Sequence, residues 1–235
     1  MKNMRKLVCL FSLLSLWMAA SVSAQSLKKQ EATMEDYLPL LNATGYKVYT
    51  FDISEFKDDS YLIHFKVKEY TDSINGKEIG RPFTFPSRLM LDNFPKEQQE
   101  RIISEGRAYD AEKGIYIQGN KLTIGFTPGK ADSIKVIHFG VNDMGASSRQ
   151  LNLKGLKLPN ENKVFYSYES RPFVIDKFEE GKFIPLVFFA SYWVDEKFGF
   201  FRFCGAMEIS PTMGQEYIEN SPHYYVIGVE INKQK

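Results

Sequence analysis

From Lys47 onward the chain keeps returning to a period of two, and that period limits the fold more than any other feature. In KVYTFDIS, Tyr49, Phe51 and Ile53 fall on one side, with Thr50, Asp52 and Ser54 on the other. In SYLIHFKVKEY, Tyr61, Ile63, Phe65 and Val67 oppose His64, Lys66 and Lys68. Alternation of this kind rests one face of a strand on a core and leaves the other in water, as antiparallel sheets do. Shorter runs follow: IYIQGNKLTIGF, SIKVIHFGV, LNLKGLKL, KVFYSYE, PFVID and HYYVIGVEI. Each is rich in β-branched and aromatic residues and is bounded by Gly, Asn, Asp or Pro. No βαβ alternation accompanies them. The predicted class is mainly β, α+β at the margin: an antiparallel β-sandwich or two packed sheets with one or two short helices.

The helices have their own signals. Thr33-Met-Glu-Asp36 resembles a capping box with Asp in place of Glu, opening a short helix to about Asn42 that contains Pro39 and stops at Gly45. A second helix over KEQQERIISE has Asp92 or Asn93 as its cap and Pro95 in its first turn; it turns Ile102 and Ile103 to a core and closes at Gly106. Three turns are expected. The linker Glu55 to Asp59 is of hairpin length, Asn75-Gly76 is a tight-turn signal, and Gly119-Asn120 joins two strands of a hairpin.

The most apolar internal stretch is FIPLVFFASYWVDEKFGFFRFCGAMEI, residues 183–209. Pro185 and Asp195-Glu-Lys197 interrupt it, so it is no membrane span. Residues 194–199 form a hairpin loop with Gly199 in a left-handed position. In the first arm Val187 and Phe189 lie on one side and Ile184, Leu186, Phe188 and Ala190 on the other, as in a central strand covered on both faces. In the second arm Phe201, Phe203, Met207 and Ile209 share a face, and Arg202, Cys204, Ala206 and Glu208 share the other.

Residues 1–24 read as a signal peptide. Lys2, Arg5 and Lys6 precede an apolar run from Leu7 to Ala20, and Val22-Ser23-Ala24 supplies the small residues of a cleavage site. Cleavage after Ala24 leaves an exported domain over 25–235, located in the periplasm, at the cell surface or outside the cell. It reads as a single domain, with 157–163 (KLPNENK) the loop at which two lobes would meet. No membrane span remains after cleavage. The full chain holds 30 basic and 29 acidic residues. With the leader's three basic residues gone, no basic block or stripe is left to meet a phosphate backbone, so nucleic acid is not an expected partner.

The mature chain keeps one cysteine, Cys204, which allows neither an internal disulfide nor a zinc framework. GxSxG, HExxH, P-loop, GxGxxG and EF-hand patterns are all absent, so no metal and no cofactor is expected. A cysteine nucleophile would use Cys204 on the mixed face with Arg202 and Glu208, although a lone Cys also fills a β core well. The adjacent carboxylates Asp58-Asp59, Glu179-Glu180 and Asp195-Glu196 read as solvated turns rather than a pair converging on a bond. Tyr192 and Trp193, just before a turn, are the candidates for an aromatic binding platform.

The segments TMEDYLPLLNATGYKVYTFDISEFKDD, the 183–209 stretch with the Ser that follows it, and PHYYVIGVEI resemble a family of small exported proteins of Bacteroidetes gut bacteria, classed as a domain of unknown function. The resemblance covers nearly the whole mature chain. It implies periplasmic or surface residence and carries no catalytic residues. It also brings O-glycosylation into view, at Ser73 in Asp72-Ser73-Ile74 and Ser133 in Asp132-Ser133-Ile134. The expected function is binding of a protein, peptide or glycan without catalysis. The alternatives are a small hydrolase-type enzyme using Cys204 or a carboxylate pair, and a structural subunit of an envelope assembly.

Overall fold

The computed structural model describes residues 29–234 other than 73, 160, 176, 204–206 and 214–215. The expected leader, Cys204 and Ser73 therefore lie outside the described residues. Of the described chain, residues 29–38 belong to one compact unit and those from Pro39 on to another.

Helix α1 (Met34–Ala43) opens as expected. The Asp36 carboxylate takes the Thr33 N–H at 2.7 Å and the Thr33 hydroxyl at 3.1 Å. It closes where Gly45 turns to φ +83° and the Tyr46 N–H reaches back to the Leu41 carbonyl. Only glycine adopts that left-handed geometry at little cost.

The strands build two packed antiparallel sheets. The first has the order β1 (Lys47–Asp52), β7 (Lys121–Pro128), β8 (Ile134–Val141), β9 (Gly145–Asn152). The second runs β12 (Tyr168–Pro172), β13 (Phe183–Ser191), β16 (His223–Lys233), β2 (Tyr61–Thr71), β3 (Ile74–Glu78), with β4 (Phe83–Pro86) also paired to β2. Between them lies a core that includes Ile63, Phe65, Val67, Ile124, Phe126, Phe139, Phe189, Tyr225 and Ile227. The fold is mainly β, as the alternation predicts, and it does not close into a barrel.

Three two-stranded ribbons complete it: β5 (Arg88–Met90) with β6 (Ile115–Gln118), β10 (Leu156–Lys157) with β11 (Val164–Phe165), and β14 (Trp193–Asp195) with β15 (Phe200–Arg202). Among the described residues the remaining α-helices are α2 (Lys96–Ser104) and α3 (Glu216–Asn220). The outer face of the six-stranded sheet carries a second core, where Phe188, Ala190 and Val226 pack with Phe173, Ile209 and Ile218. Strand β13 is thus covered on both sides, which explains why it reads as a continuous apolar run.

Several local expectations give way to tertiary pairing. β1 pairs with β7 and β2 with β16, so Glu55 to Asp59 crosses between sheets instead of closing a hairpin. Linker length limits how far a strand can move, not which partner it takes. Gly119-Asn120 likewise passes from the β5–β6 ribbon to the first sheet. Asn75-Gly76 lies inside β3, with Gly76 at φ +69° opposite a register shift in β2, and Thr71 pairs with Ile74. At α2 the N-cap is Pro95, without a side-chain cap bond, because Asp92 and Asn93 are taken up in a preceding 3₁₀ turn. Ile102 is buried there, but Ile103 is exposed.

In β13 a bulge between Pro185 and Val187 shifts the alternation by one. Ile184 and Leu186 consequently join Val187 and Phe189 in the inter-sheet core, and only Phe188 and Ala190 keep to the far side. The 194–199 loop forms as expected, with Gly199 at φ +66°. The second arm, however, ends as a strand at Arg202, and Met207 is exposed while Ile209 is buried.

Candidate functional site

The two sheets part at one end, where β12 and β13 face the turn between β7 and β8. The opening is a cleft of about 380 Å³. Pro128, Asp132, Ile134 and Lys135 come from the β7–β8 corner, Tyr168 and Phe189 from the second sheet, and Lys163 to Tyr166 from the β10–β11 ribbon. A smaller annex of about 90 Å³ shares Lys135, Tyr168 and Phe189 with it and continues to Lys47, Glu169 and Ser170. The cleft lies within the usual range for ligand pockets, about 300–1,000 Å³.

Glycines let its walls approach. A Cβ on Gly155 would overlap the Val164 side chain, and one on Gly129 would overlap Ile134. Gly155 thus allows the β10–β11 ribbon to fold over one side, and Gly129 tightens the β7–β8 corner on the other.

A buried polar chain stands behind the cleft wall. The Lys154 N–H donates to the Tyr168 hydroxyl at 2.8 Å, and that hydroxyl meets Nδ1 of His223 at 2.5 Å. Nε2 of His223 lies 3.1 Å from a Glu69 carboxylate oxygen, which also accepts from the Tyr225 hydroxyl at 3.2 Å. Tyr225 lies 2.7 Å from the Asn152 carbonyl as well. His223 is 3% exposed. Burial lowers its pKa below the ordinary histidine value, and the Glu69 contact only partly offsets this. The neutral ring therefore carries its hydrogen on Nε2, toward Glu69, and accepts the Tyr168 hydrogen on Nδ1. Burial also raises the Tyr168 and Tyr225 phenols well above the usual range, so both stay protonated and neither is a ready nucleophile.

A charged seam joins the sheet edges beside the annex. Glu169 holds an ion pair with Lys47, another with Arg171 at 3.2 Å, and the Ser170 N–H at 2.9 Å. Burial opposes ionisation of Glu169, but these partners together keep its carboxyl below the ordinary value. Tyr49 bridges the sheets directly, its hydroxyl reaching the Ser170 carbonyl at 2.9 Å and the Ser170 hydroxyl at 3.0 Å. The Lys135 ammonium donates to the Gly45 carbonyl at 2.6 Å.

Of the described residues singled out from sequence, all but one lie elsewhere. Tyr192 and Trp193 are half-buried, and both pack on Phe203, at 5.1 and 6.3 Å between ring centroids. Arg202 is paired with Asp195 at 2.7 Å, and Glu208 is exposed. Cys204 lies outside the described residues, so the structure does not describe its surroundings. Asp195 also takes the Lys197 and Phe198 N–H groups of its own turn. Asp59 pairs with Lys233, Glu179 with Lys182, and Glu180 takes the Lys233 N–H. The exception is the corner that holds Ser133. Ser133 is half-buried in the β7–β8 turn, and its neighbours Asp132 and Ile134 line the cleft.

Among the described residues no group of three or more His, Cys, Asp or Glu is placed to hold a metal ion. No described helix is long and apolar enough to cross a membrane.

Nothing in the sequence marks Lys135, Lys163, Tyr168, Glu69 and His223 as a group. One signal was present: Glu69 and His223 fall on the inward positions of otherwise apolar strands, where a polar residue needs a partner.

Two packed antiparallel sheets with a cleft at one end define the class, a β-sandwich domain. Residues 16–233 match the family described as Domain of unknown function (DUF5041), and the chain belongs to it. No curated protein and no solved structure matches the chain.

Proposed function

We propose that this domain is a non-catalytic binding module that takes a glycan in the cleft between its sheets. The observation that carries this reading is the lining. Part-exposed aromatic rings (Phe165, Tyr166, Tyr168) and the buried Phe189 line an open cleft together with polar groups (Asp132, Lys135, Lys163). Aromatic faces give apolar area to the C–H faces of a sugar ring, and polar tips meet its hydroxyls. Of the carboxylates around the cleft, Glu69 and Glu169 are each bound to fixed partners and Asp132 is exposed in the lining, an arrangement that favours binding over paired acid–base chemistry at this place. The leader read from the sequence puts the module in the periplasm or at the cell surface.

The test is a titration of the isotope-labelled protein with a panel of oligosaccharides, followed by NMR. Shifts centred on Lys135, Lys163, Tyr166 and Tyr168 are expected. Shifts centred on Tyr192 and Trp193 would move the site to the platform proposed from sequence. No shift with any glycan would remove the reading.

A further inference from the structure

We infer that the ligand of this cleft is an acidic glycan, with the carboxylate of a hexuronic acid seated against Lys135. The inference rests on the cleft being a glycan site and adds the chemistry of the ligand.

Charge balance points to an anion. The cleft and its annex are lined by Lys47, Lys135 and Lys163 against Asp132 and Glu169, and Arg171, outside that lining, pairs with Glu169. The lining thus carries one positive charge in excess, while its carboxylate Glu169 is also drawn on by Arg171. Glu169 cannot neutralise them all, since its carboxylate already engages Lys47, Arg171 and the Ser170 N–H.

Lys135 is the group left short. It lines both the cleft and the annex. An ammonium has three donors, and this one meets a neutral carbonyl, that of Gly45. Burial pushes its pKa down; attraction by Glu169 opposes that and repulsion by Lys47 adds to it. A half-buried cation short of negative charge is what an incoming carboxylate would complete. Lys163, exposed on the ribbon, would reach the same anion from the other wall.

The body of the ligand follows from the rest of the lining. A hexuronic acid carries its carboxylate at the rim of a ring that also has an apolar face. Phe165 and Tyr166, part-exposed on the ribbon, line the cleft beside the two lysines, and the buried Phe189 ring forms part of its wall. A peptide C-terminus would also supply a carboxylate, but it is best held by backbone groups of a nest or strand edge, and here the charged groups are side chains.

The test compares oligogalacturonate, a neutral galactose oligomer of equal length and a short peptide acid by calorimetry. Oligogalacturonate should bind at least tenfold more tightly than the neutral oligomer and weaken with added salt. Lys135→Met should weaken it about 10- to 100-fold, the range expected for one charged hydrogen bond. Lys163→Glu, at an exposed position where folding is not at stake, should also weaken it. Equal binding of acidic and neutral oligomers, unchanged in both variants, would overturn the inference and leave the glycan site standing. Binding of the peptide acid alone would overturn both the acid-sugar assignment and the glycan reading. Silence from all three would overturn both as well.

Discussion

The hydroxyl of Tyr168 gives its hydrogen to Nδ1 of His223 across 2.5 Å, joining the wall of the cleft to a histidine that is 3% exposed. Glu69 holds the other side of the ring at 3.1 Å, and Tyr225 shares that carboxylate. The groups facing the ring are thus two neutral phenols and one carboxylate, with Lys154 as the nearby opposing charge.

Acid should weaken the fold through this histidine. Unfolded chains bind the proton near the ordinary value of about 6.5, and the folded protein binds it only at lower pH. Between those values the unfolded state holds more protons, so stability falls as pH falls and the loss levels off below the folded-state value. Urea midpoints measured from pH 7.5 to 5 should drop for the wild type. His223→Gln should be less stable at pH 7.5 but flatter across the window. Equal slopes would mean that His223 is not the group responsible.

Breaking the bridge between sheet edges should have a modest, pH-independent cost. Tyr49→Phe removes one hydroxyl that reaches two acceptors on Ser170 and leaves the ring contact with Phe126 in place. A loss of about 0.5–1.5 kcal/mol is expected from one net hydrogen bond. Denaturant unfolding measures it. A loss several-fold larger would show that the bridge fixes the spacing of the sheets.

The sequence made the strands legible because alternation is local. Ile63, Phe65 and Val67 needed nothing but their own order to be placed inward, and they are inward. Partners were not legible, because β1 takes β7 across more than sixty intervening residues and no short linker announces it. The bulge at Pro185 could not be read either, since one extra residue flips Ile184 and Leu186 without changing composition. The cleft was hidden for the same reason. Lys135, Lys163 and Tyr168 belong to no motif, and only register and the closing of the ribbon over Gly155 bring them together. Tyr192 and Trp193 stand out in the sequence as large aromatics just before a turn. Their packing on Phe203 shows how the same residue types serve a second core.

Two strand glycines should answer differently to the same substitution. A Cβ on Gly228 would drive into the Ile184 carbonyl and the Phe183 ring, at the place where the β13 bulge presses on β16. Gly228→Ala should therefore cost about 1–3 kcal/mol, the usual range for overpacking. It should also lower the thermal midpoint. Gly125 lies in β7 with only ordinary contacts around an added Cβ, none nearer than 3.7 Å. Gly125→Ala should be neutral or stabilise by up to about 1 kcal/mol, through lost freedom in the unfolded chain. Thermal melts of the two variants side by side decide it, and equal destabilisation would contradict the packing described at the bulge.

The charged seam predicts a second acid transition, separate from that of His223. Burial works against ionised Glu169, yet Lys47, the Ser170 N–H and Arg171 together hold its carboxyl below the ordinary value. A carboxyl depressed in the folded state lends stability above its unfolded value, about 4.3. That stability is lost as pH falls through the lower folded-state value. Glu169→Gln should remove this contribution and leave Lys47 and Arg171 facing each other without a counter-charge. The variant should be less stable than the wild type at pH 7, by about 1–3 kcal/mol for a partly buried charged hydrogen bond. The difference should shrink as pH falls from 7 toward 3 and the wild-type protein begins to take up this proton. Urea unfolding at the two pH values reads the difference directly. A gap that stays constant with pH would mean that Glu169 contributes by packing and not by charge.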